Sequence, residues 1–514
     1  MRIFFLLFLP FLLFAKPFKV ATYNVENIFD ATYNGTEYKE YTSKHHWTGR
    51  IVNIKLNHTA EVICDLNADI LGLQEIENEH VLRALQQKLD EVGCAYRYAA
   101  ITHKKGVAVQ VGLISRFPIT SVKEIEVSSA SGVRNILEAV VEVQHYPLHL
   151  FVNHWKSRSR EGWESKRMVY ARALQKRLKA LPKGVEYIVL GDFNTDYDAA
   201  LSLERGINDT EGKTGLHHIL ETTDERSRLF KESALHYTLW GELELDKRWN
   251  TKFYGRKGTP DHILLSHAMM DTKGVNYVDG SFGVFRQNYL FTKRGYINRW
   301  EYKKGNHTGR GYSDHLPIYA LFDTKPYQQS KAVNALLKRE VKPIEYLYSV
   351  EALSREIVLE DAVVLWKERG NALIKQSVEG RGIFLYGCAN RLEEGKRYDL
   401  LVRGIKSYNG LKEVTHVYIV KEKASQDLSN YYLTQDDLQK PQAMRQNEFF
   451  KDITGVYREG YFYTAGRKIP IYFKKRKQTP PNGAKLKIAY AHLGYYKHLQ
   501  LVVYSPKDFT VMEK

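Results

Sequence analysis

The 514 residues are too many for one hydrophobic core, which stops growing at roughly 250–300 residues, so two or three domains are expected. Lysine and arginine total 76 against 59 acidic residues, and the formal charge of +17 favours a polyanionic partner such as nucleic acid or an anionic membrane surface. The three cysteines, Cys64, Cys94 and Cys388, exclude a disulfide framework and a CxxC zinc site; we expect three buried thiols, with a Cys64–Cys94 bridge as the alternative.

The N-terminus has the pattern of a secretory signal peptide. Met1-Arg2 gives a basic start, an apolar run up to Phe14 is too short to span a bilayer comfortably, and Ala15 is a small residue suited to cleavage. We predict that residues 1–15 are a signal peptide, with an uncleaved anchor as the alternative. No later stretch approaches the ~20 apolar residues of a membrane helix, so we expect a secreted or periplasmic protein without an integral membrane segment.

Residues 18–324 alternate strand-like and helix-like runs. β-branched and aromatic runs such as KVATYNV and DILGLQEI are separated by amphipathic runs such as VLRALQQKLDEV. The runs LEAVVEV and LHLFVNHW flank a turn at His145-Tyr146-Pro147, which predicts an antiparallel hairpin. This mixture predicts a layered α/β domain with a mixed sheet or a pair of sheets.

Polar residues suited to phosphodiester chemistry stand at the ends of these predicted strands. Hydrolysis of a phosphodiester needs a divalent cation on oxygen ligands, a positioned water and donors to the non-bridging oxygens. The strand-end residues that could supply them are Asn24, Glu75, His154, Asp192, Asn194, Asp261, Asp314 and His315. Singly, each could be a turn cap or a surface group; as an ordered set they indicate a catalytic site.

Six motifs in this order resemble the endonuclease/exonuclease/phosphatase superfamily, the DNase-I-like enzymes, over roughly Phe18 to Asp323. The motifs are ATYNVEN, LGLQEIEN, NHWKSR, GDFNTD, TPDHILLS and SDHLPI. The resemblance implies a four-layer α/β/β/α sandwich, in which two packed mixed sheets are flanked by helices. It also implies a metal-dependent phosphodiesterase, a class that includes pancreatic-type DNases, abasic-site nucleases, sphingomyelinases and inositol-phosphate phosphatases.

The resemblance further implies which residues would bind a metal and which would act on the attacking water and the phosphate. Asn24, Glu75 and Asp314 would lie at a divalent metal, which we expect to be Mg²⁺, with Mn²⁺ or Ca²⁺ as alternatives. Asp192 would position and deprotonate the attacking water. Asn194 would donate a hydrogen bond to the phosphate as charge builds there.

Two histidines complete the set that the resemblance implies. His315 would bind the scissile phosphate, with Asp261 fixing its tautomer and favouring its cationic form. His154 would be a proton donor or a phosphate ligand. In DNase-like members a carboxylate pairs with the histidine equivalent to His154. Here the stretch 102–116 has no Asp or Glu, and its polar candidate for that position is Gln110.

Basic residues near these motifs are placed where a polyanion could lie. Arg134, Lys156 and Arg158 are the predicted substrate-binding residues, with a solvated basic loop as the alternative. The insertion from Val278 to Tyr312 mixes aromatic and basic residues. Such a flap could hold a nucleic-acid groove or dip into a membrane surface.

Residues 325–345 are a polar stretch with one short helical run, AVNALLKRE, and we predict that they form a linker. Beyond this linker the helical patterns disappear. Residues 346–425 contain five strand-like runs, which predict a small barrel. This segment resembles the OB-like nucleic-acid-binding domains that accompany some extracellular bacterial nucleases, chiefly in RGIFLYG, EEGKRYDLLVRG and YNGLKEVTHVYIV.

Residues 446–514 are predicted to form a basic β domain that could be a second OB-like barrel. The positions of Gly395, Tyr408 and Leu411 recur at a constant offset as Gly483, Tyr496 and Leu499. From position 451 onward the chain carries 13 basic and 4 acidic residues, including the run KKRK at 474–477 among many tyrosines. Such a surface offers phosphate contacts beside stacking faces, although a solvated hairpin edge is the alternative.

Together these patterns predict an exported, metal-dependent phosphodiesterase that hydrolyses nucleic acid, with DNA preferred. A lipid phosphodiesterase of the sphingomyelinase type and a non-enzymatic surface DNA-binding protein are the alternatives. The two predicted barrels favour nucleic acid over lipid, and the oligomeric state is left open.

Overall fold

A computed structural model of the chain describes residues 16–159, 161–440 and 444–512. The predicted signal peptide, residues 1–15, lies outside the described residues. The chain divides into two compact units, Met1–Leu337 and Lys338–Lys514. No helix in the described ranges is long and apolar enough to cross a membrane.

The first unit is built from short strands and a few helices. Its strands are β1 Phe18–Ile28, β2 Ile70–Ile76, β3 Tyr98–Ile101, β4 Gln110–Ser115, β5 Ile119–Ile125, β6 Ile136–Val143, β7 Tyr146–His154, β8 Tyr187–Asp192, β9 Thr222–Thr223, β10 His236–Thr238, β11 Thr251–Phe253, β12 Arg256–Gly258, β13 Asp261–Leu265, β14 Asn276–Tyr277, β15 Gly283–Val284, β16 Tyr302–Lys303, β17 Asn306–His307 and β18 Ile318–Asp323. Its helices are α1 Gly49–Leu66, α2 Glu79–Glu91, α3 Glu164–Lys179, α4 Ala199–Ser202, α5 Arg226–Leu229 and α6 Lys331–Leu337.

These strands form two large mixed sheets. The first has the order β14-β18-β1-β2-β4-β3, with β15 also paired to β18, and the second has the order β5-β6-β7-β8-β13-β10-β9. Strands β1 and β2 are parallel, as are β7 and β8, whereas β6 and β7 form the antiparallel hairpin that the sequence predicts. Two small hairpins, β11–β12 and β16–β17, stand apart from the sheets.

The two sheets pack face to face, and helices cover their outer faces. Residues such as Val20 and Leu190 belong to one buried cluster between the sheets, and at Gly72 a side chain would approach Leu190 Cδ1 to 2.2 Å. A second cluster joins α1 and α2 to the first sheet, and a third joins α3 to the second sheet. Because the sheets are covered on both faces, the residues of β1 and β8 are almost continuously buried. The four-layer α/β/β/α sandwich is confirmed.

A disulfide joins Cys64 on α1 to Cys94, which lies three residues after the end of α2, and their Cα atoms are 5.8 Å apart. The expectation of three buried thiols is therefore wrong, because Cys94 follows the end of α2, where the chain turns back toward α1. Cys388 is the free cysteine, and burial raises the pKa of its thiol to about 12.

Reduction of this disulfide should destabilise the first unit. The bond closes a loop with a sequence separation of 30, for which the chain-entropy model gives about 3–4 kcal/mol of stabilisation. Cys64→Ala should lower the unfolding temperature, and dithiothreitol should lower that of the wild type but not of the variant. Cys388→Ala is the matched control, and an equal effect of dithiothreitol on both variants would contradict the assignment.

The second unit consists almost entirely of strands. They are β19 Glu340–Val341, β20 Ile357–Glu368, β21 Asn371–Lys375, β22 Ile383–Leu385, β23 Lys396–Tyr408, β24 Leu411–Ser425, β25 Glu448–Arg458, β26 Tyr461–Thr464, β27 Arg467–Phe473, β28 Lys485–Tyr496, β29 His498–Val503 and β30 Phe509–Val511; the helix is α7 Ile344–Ser349. The predicted linker 325–345 is divided between the units, because α6 belongs to the first, with Val333 buried, and β19 pairs with β20 in the second.

Both halves of the second unit are closed five-stranded barrels. The first runs β20-β21-β22-β24-β23 and closes through β20–β23, and the other runs β25-β26-β27-β29-β28 and closes through β25–β28. This identical order is that of OB-like barrels. Gly395 and Gly483 precede equivalent strands, and Tyr408 and Tyr496 end them. The predicted second OB-like barrel is confirmed.

Candidate active site

Asp192 occupies the end of β8 in the middle of the second sheet. It pairs with His154 on the parallel strand β7 and with Asp261 on the antiparallel strand β13. Gly191 has φ 129° and lies so close to β7 that a side chain would approach the carbonyl oxygen of Asn153 to 2.1 Å. The glycine of GDFN is therefore required for the strands to approach at this point.

Asn194 closes a tight turn around the Asp192 carboxylate. Its backbone N–H donates to Asp192 Oδ1 at 2.8 Å, and its Nδ2 donates to Oδ2 at 3.1 Å. Asn194 has φ 49°, in the left-handed region that asparagine tolerates better than most residues. Both predicted residues of GDFNTD therefore form one hydrogen-bonded unit.

Glu75 reaches the site from the first sheet through a β-bulge. The register between β2 and β4 shifts between Gln74 and Ile76, and Glu75 has φ 69°. Such a bulge redirects a side chain that regular pleating would send into the core. Asn24 Nδ2 then lies 3.1 Å from Glu75 Oε1 and 3.1 Å from Asp192 Oδ2, so this amide connects the two sheets.

His154 lies beside both carboxylates. Its Nε2 is 3.6 Å from Glu75 Oε1 and 3.7 Å from Asp192 Oδ2. Burial, with Arg134 and His315 nearby, lowers the pKa of His154 well below its ordinary value, so the ring is neutral. Its Nδ1 has no hydrogen-bond partner among the described residues, as the absence of a carboxylate in 102–116 leads one to expect.

His315 and Asp261 form a close, buried pair. His315 Nδ1 is 2.6 Å from Asp261 Oδ2, which also accepts a hydrogen bond from Asn250 Nδ2. Burial alone would lower the pKa of His315, but the adjacent Asp261 carboxylate raises it well above the ordinary value. The imidazole is therefore cationic and available to an anion.

Asp314 lies at the edge of the site and contacts a residue of the flap. Its Oδ2 is 3.5 Å from Arg299 Nη2, and the same guanidinium forms an ion pair with Glu26. Burial and then the charge of Asp314 raise the pKa of Glu75, which places the two acidic groups within electrostatic range. The structure thus brings Asn24, Glu75 and Asp314 into one region.

The predicted substrate-binding residues have two different locations. Arg134 and Lys156 line a cleft of about 930 Å³ whose walls include Glu75 and His154. Arg134 is held there by hydrogen bonds to the carbonyl oxygens of His154 and Trp155. Arg158 is instead held by the carbonyl oxygen of Asn194 at 2.8 Å and by Asp196, also at 2.8 Å. Arg158 therefore supports the loop after β8 and does not line this cleft.

The site suits a divalent cation. Burial, and then the charge of Asp261, raise the pKa of Asp192 to about 7, so carboxylates are packed here against their mutual repulsion. Asp192, Asp261 and His315 each offer a ligand atom within 4.8 Å of the others, and Asp261 Oδ1 accepts no hydrogen bond from the described residues. Because His315 and Asp261 are already paired, Glu75 at the cleft is the better candidate ligand, and its oxygen atoms are of the type that Mg²⁺ prefers.

Sequence reasoning missed several residues that hold this arrangement. Asn27 donates its backbone N–H to Glu75 Oε2 at 3.0 Å, and Ser313 Oγ donates to the carbonyl oxygen of Asn24 at 2.7 Å. Buried Lys55 donates to the carbonyl oxygens of Val25 and Tyr312. Asn27 and Ser313 fall inside recognised motifs, whereas nothing in the local sequence distinguishes Lys55, on α1, from a surface lysine.

The aromatic residues of the flap from Val278 to Tyr312 divide between the core and the surface. Phe282, Phe285 and Trp300 are buried in the cores of the first unit. Tyr296 and Tyr302 are exposed, and Arg299 lines a second cavity of about 600 Å³, which shares Asn27 with the cleft that Arg134 lines. The flap thus contributes a cation near the site.

The family model described as "Endonuclease/Exonuclease/phosphatase family" matches residues 19–324. Among solved structures, a humanized D. rerio TDP2 with 14 mutations is 16% identical, covering 60% of this chain and 99% of that chain, with a TM-score of 0.37. A family protein from Bacteroides thetaiotaomicron is 15% identical over 60% and 99%, with a TM-score of 0.38. The human Nocturnin catalytic domain with bound sulfate is 16% identical over 60% and 95%, with a TM-score of 0.37.

No curated protein sequence matches the chain. The match to the family model spans more than half of the residues, and it coincides with the part of the chain that forms the four-layer sandwich and carries the clustered polar site. The chain belongs to the endonuclease/exonuclease/phosphatase family.

Proposed function

We propose that this protein is an exported, metal-dependent phosphodiesterase that hydrolyses nucleic acid, with DNA as the preferred substrate. The observation that carries the proposal is the bridge made by Asn24 between Glu75 and Asp192, with His154 within 4 Å of both carboxylates. The bridge supports the proposal because a metal ligand, a base and a phosphate ligand would then act together beside the cleft that Glu75 and His154 line.

The proposed roles of the residues follow from their surroundings. Glu75, with Asn24 and Asp314, would hold a divalent cation such as Mg²⁺, Mn²⁺ or Ca²⁺, which supplies charge stabilisation to the phosphate when bound. Asp192 accepts the proton of the attacking water, and the hydrogen bonds from Asn194 fix the orientation of its carboxylate.

The histidines would contact the phosphate in different ways. Cationic His315, held by Asp261, pairs with a non-bridging oxygen. Neutral His154 acts through Nε2 as a hydrogen-bond donor; its lowered pKa favours this role over that of proton donor. Arg134 and Lys156 extend the positive charge along the cleft, which suits a polyanion.

Export is supported by two features. The first 15 residues have the composition of a signal peptide, and Cys64 and Cys94 are joined by a disulfide, a bond that persists in oxidising compartments. We therefore propose a secreted or periplasmic location.

A lipid phosphodiesterase is a second candidate because of one exposed hairpin. Phe253 and Tyr254 at the tip of β11–β12 are 61% and 95% exposed, and Lys252 and Arg256 flank them. An apolar tip between basic residues could enter an anionic membrane surface. Two OB-like barrels in the same chain favour nucleic acid.

Incubation with DNA, RNA and sphingomyelin vesicles in parallel distinguishes these candidates. The purified chain should degrade plasmid DNA in the presence of Mg²⁺, and a chelator such as EDTA should abolish the reaction. Re-addition of excess Mg²⁺ is the control for a direct effect of EDTA. Hydrolysis confined to vesicles would refute the nuclease proposal. Cleavage that persists in EDTA would refute the proposed dependence on a divalent metal.

A further inference from the structure

The two barrels of the second unit meet through equivalent hairpins. Asn409 and Gly410 form the turn between β23 and β24, and Lys497 forms the turn between β28 and β29. The backbone N–H of Lys497 donates to the carbonyl oxygen of Asn409 at 3.2 Å, and a side chain at Gly410 would approach the ring of Tyr495 to 2.4 Å. This close contact fixes the hairpins beside each other.

A groove of about 280 Å³ lies beside these two hairpins, and exposed tyrosines form its walls. The tyrosines are between 38% and 56% exposed, and they are Tyr386, Tyr408, Tyr472 and Tyr496. Tyrosines usually bury most of their ring, so four exposed rings around one groove offer flat faces to a planar ligand.

Two lysines accompany these rings. Lys406 Nζ lies 4.2 Å from the centre of the Tyr386 ring and 5.6 Å from that of Tyr408. Lys474 Nζ lies 4.9 Å from the centre of the Tyr504 ring and begins the KKRK run. Cations beside stacking faces are the combination that binds a phosphate backbone with its bases.

The floor of the groove contains two stacked rings and a buried carboxylate. The rings of Phe384 and His492 stack at 5.1 Å, and His492 is held by hydrogen bonds to Tyr504 and Asn447. Glu413, only 3% exposed, lines the groove, and its Oε2 forms an ion pair with Lys406 Nζ at 3.3 Å. A carboxylate has several lone pairs, so Glu413 can accept a further hydrogen bond from a ligand beside its ion pair with Lys406.

We propose that this groove binds single-stranded nucleic acid, with bases stacked on its tyrosines and the exocyclic amine of a cytosine or adenine donating to Glu413. The inference rests on the proposed action on nucleic acid and adds a separate binding site for an unpaired strand. A duplex does not fit this description, because neighbouring base pairs cover the faces that the tyrosines would contact. The volume suits about one base, and the outer tyrosines would stack on its neighbours.

Binding to the full chain carrying Asp192→Asn tests the inference without cleavage. Fluorescence anisotropy should show that labelled dodecamers of dC, as DNA or RNA, bind more tightly than a duplex of the same length. Tyr386→Ala with Tyr408→Ala should weaken single-strand binding about 30-fold or more. Glu413→Gln should weaken binding of the dC dodecamer about tenfold and leave the dT dodecamer unchanged.

Tyr461 and Tyr463 provide the matched control. Lys468 Nζ lies 4.1 Å and 5.8 Å from their ring centres, which reproduces the arrangement around Lys406, but neither tyrosine lines the groove. Tyr461→Ala with Tyr463→Ala should leave binding within about twofold of the parent. The inference would be overturned if the two double variants lost the same single-strand affinity, or if the chain bound the duplex more tightly than the single strand.

The inference and the proposed function can fail separately. If the groove variants bind single strands as tightly as the parent while the wild-type chain still cleaves DNA, the groove assignment is wrong and the nuclease proposal stands. If the wild-type chain cleaves no nucleic acid but the groove variants lose single-strand binding, the groove assignment stands and the nuclease proposal is wrong.

Discussion

Replacement of Asp192 with Asn is expected to slow phosphodiester hydrolysis by about 10³-fold and to leave the fold intact. The substitution keeps the size of the side chain and one oxygen acceptor, so the hydrogen bond from the Asn194 N–H can persist. It removes the carboxylate that would take the proton of the attacking water. The steady-state rate on plasmid DNA in Mg²⁺ measures the effect.

The control for Asp192→Asn is Asp90→Asn, the same chemical change at an exposed position on α2. It should retain the wild-type rate and the wild-type unfolding temperature. A rate for Asp192→Asn above about a tenth of the wild-type value would exclude Asp192 as the base, since general-base catalysis contributes roughly 10²–10⁴-fold.

Replacement of Lys375 with Met is expected to destabilise the second unit by about 3–5 kcal/mol. Lys375 on the first barrel and Glu448 on the second form an ion pair with Nζ and Oε2 2.8 Å apart, and both side chains are almost completely buried. Removal of the lysine leaves a carboxylate in the interior that keeps its ion pair with Arg445, at 2.9 Å. Hydrogen exchange of peptides from β21 and β25 in increasing urea measures the loss.

The double variant Lys375→Met with Glu448→Leu is the control for this prediction. Exchange of a buried ion pair for apolar side chains of similar volume is often neutral, so the double variant should recover most of the stability. Destabilisation of the double variant equal to or greater than that of Lys375→Met would contradict the ion-pair explanation. It would mean that the lysine stem, rather than its charge, holds the barrels together.

Much of the fold could be predicted because the patterns that define it are local. The turn between LEAVVEV and LHLFVNHW predicted an antiparallel hairpin, and the five strand-like runs of 346–425 each appear as a strand of the first barrel. The recurrence of Tyr408 as Tyr496 pointed to the second barrel, since equivalent positions end equivalent strands.

Contacts between distant segments could not be predicted in this way. The pairing of Cys64 with Cys94 depends on how α2 returns toward α1, and the burial of Phe282 and Trp300 depends on where the flap packs. Arg158 and Arg134 look alike in the sequence. They differ because the loop after β8 passes beside Arg158, whereas the cleft opens beside Arg134.

The sequence by itself determined the candidate site residues, because the ordered motifs from ATYNVEN to SDHLPI contain Asn24, Glu75, Asp192 and His315 and were identified without reference to coordinates. Only the tertiary structure decided how they meet. Glu75 reaches Asn24 through a bulge, and Asn24 reaches Asp192 across the space between two sheets. The physical reason is that side-chain direction along one strand follows from local periodicity, whereas the approach of two sheets depends on the packing of the whole core.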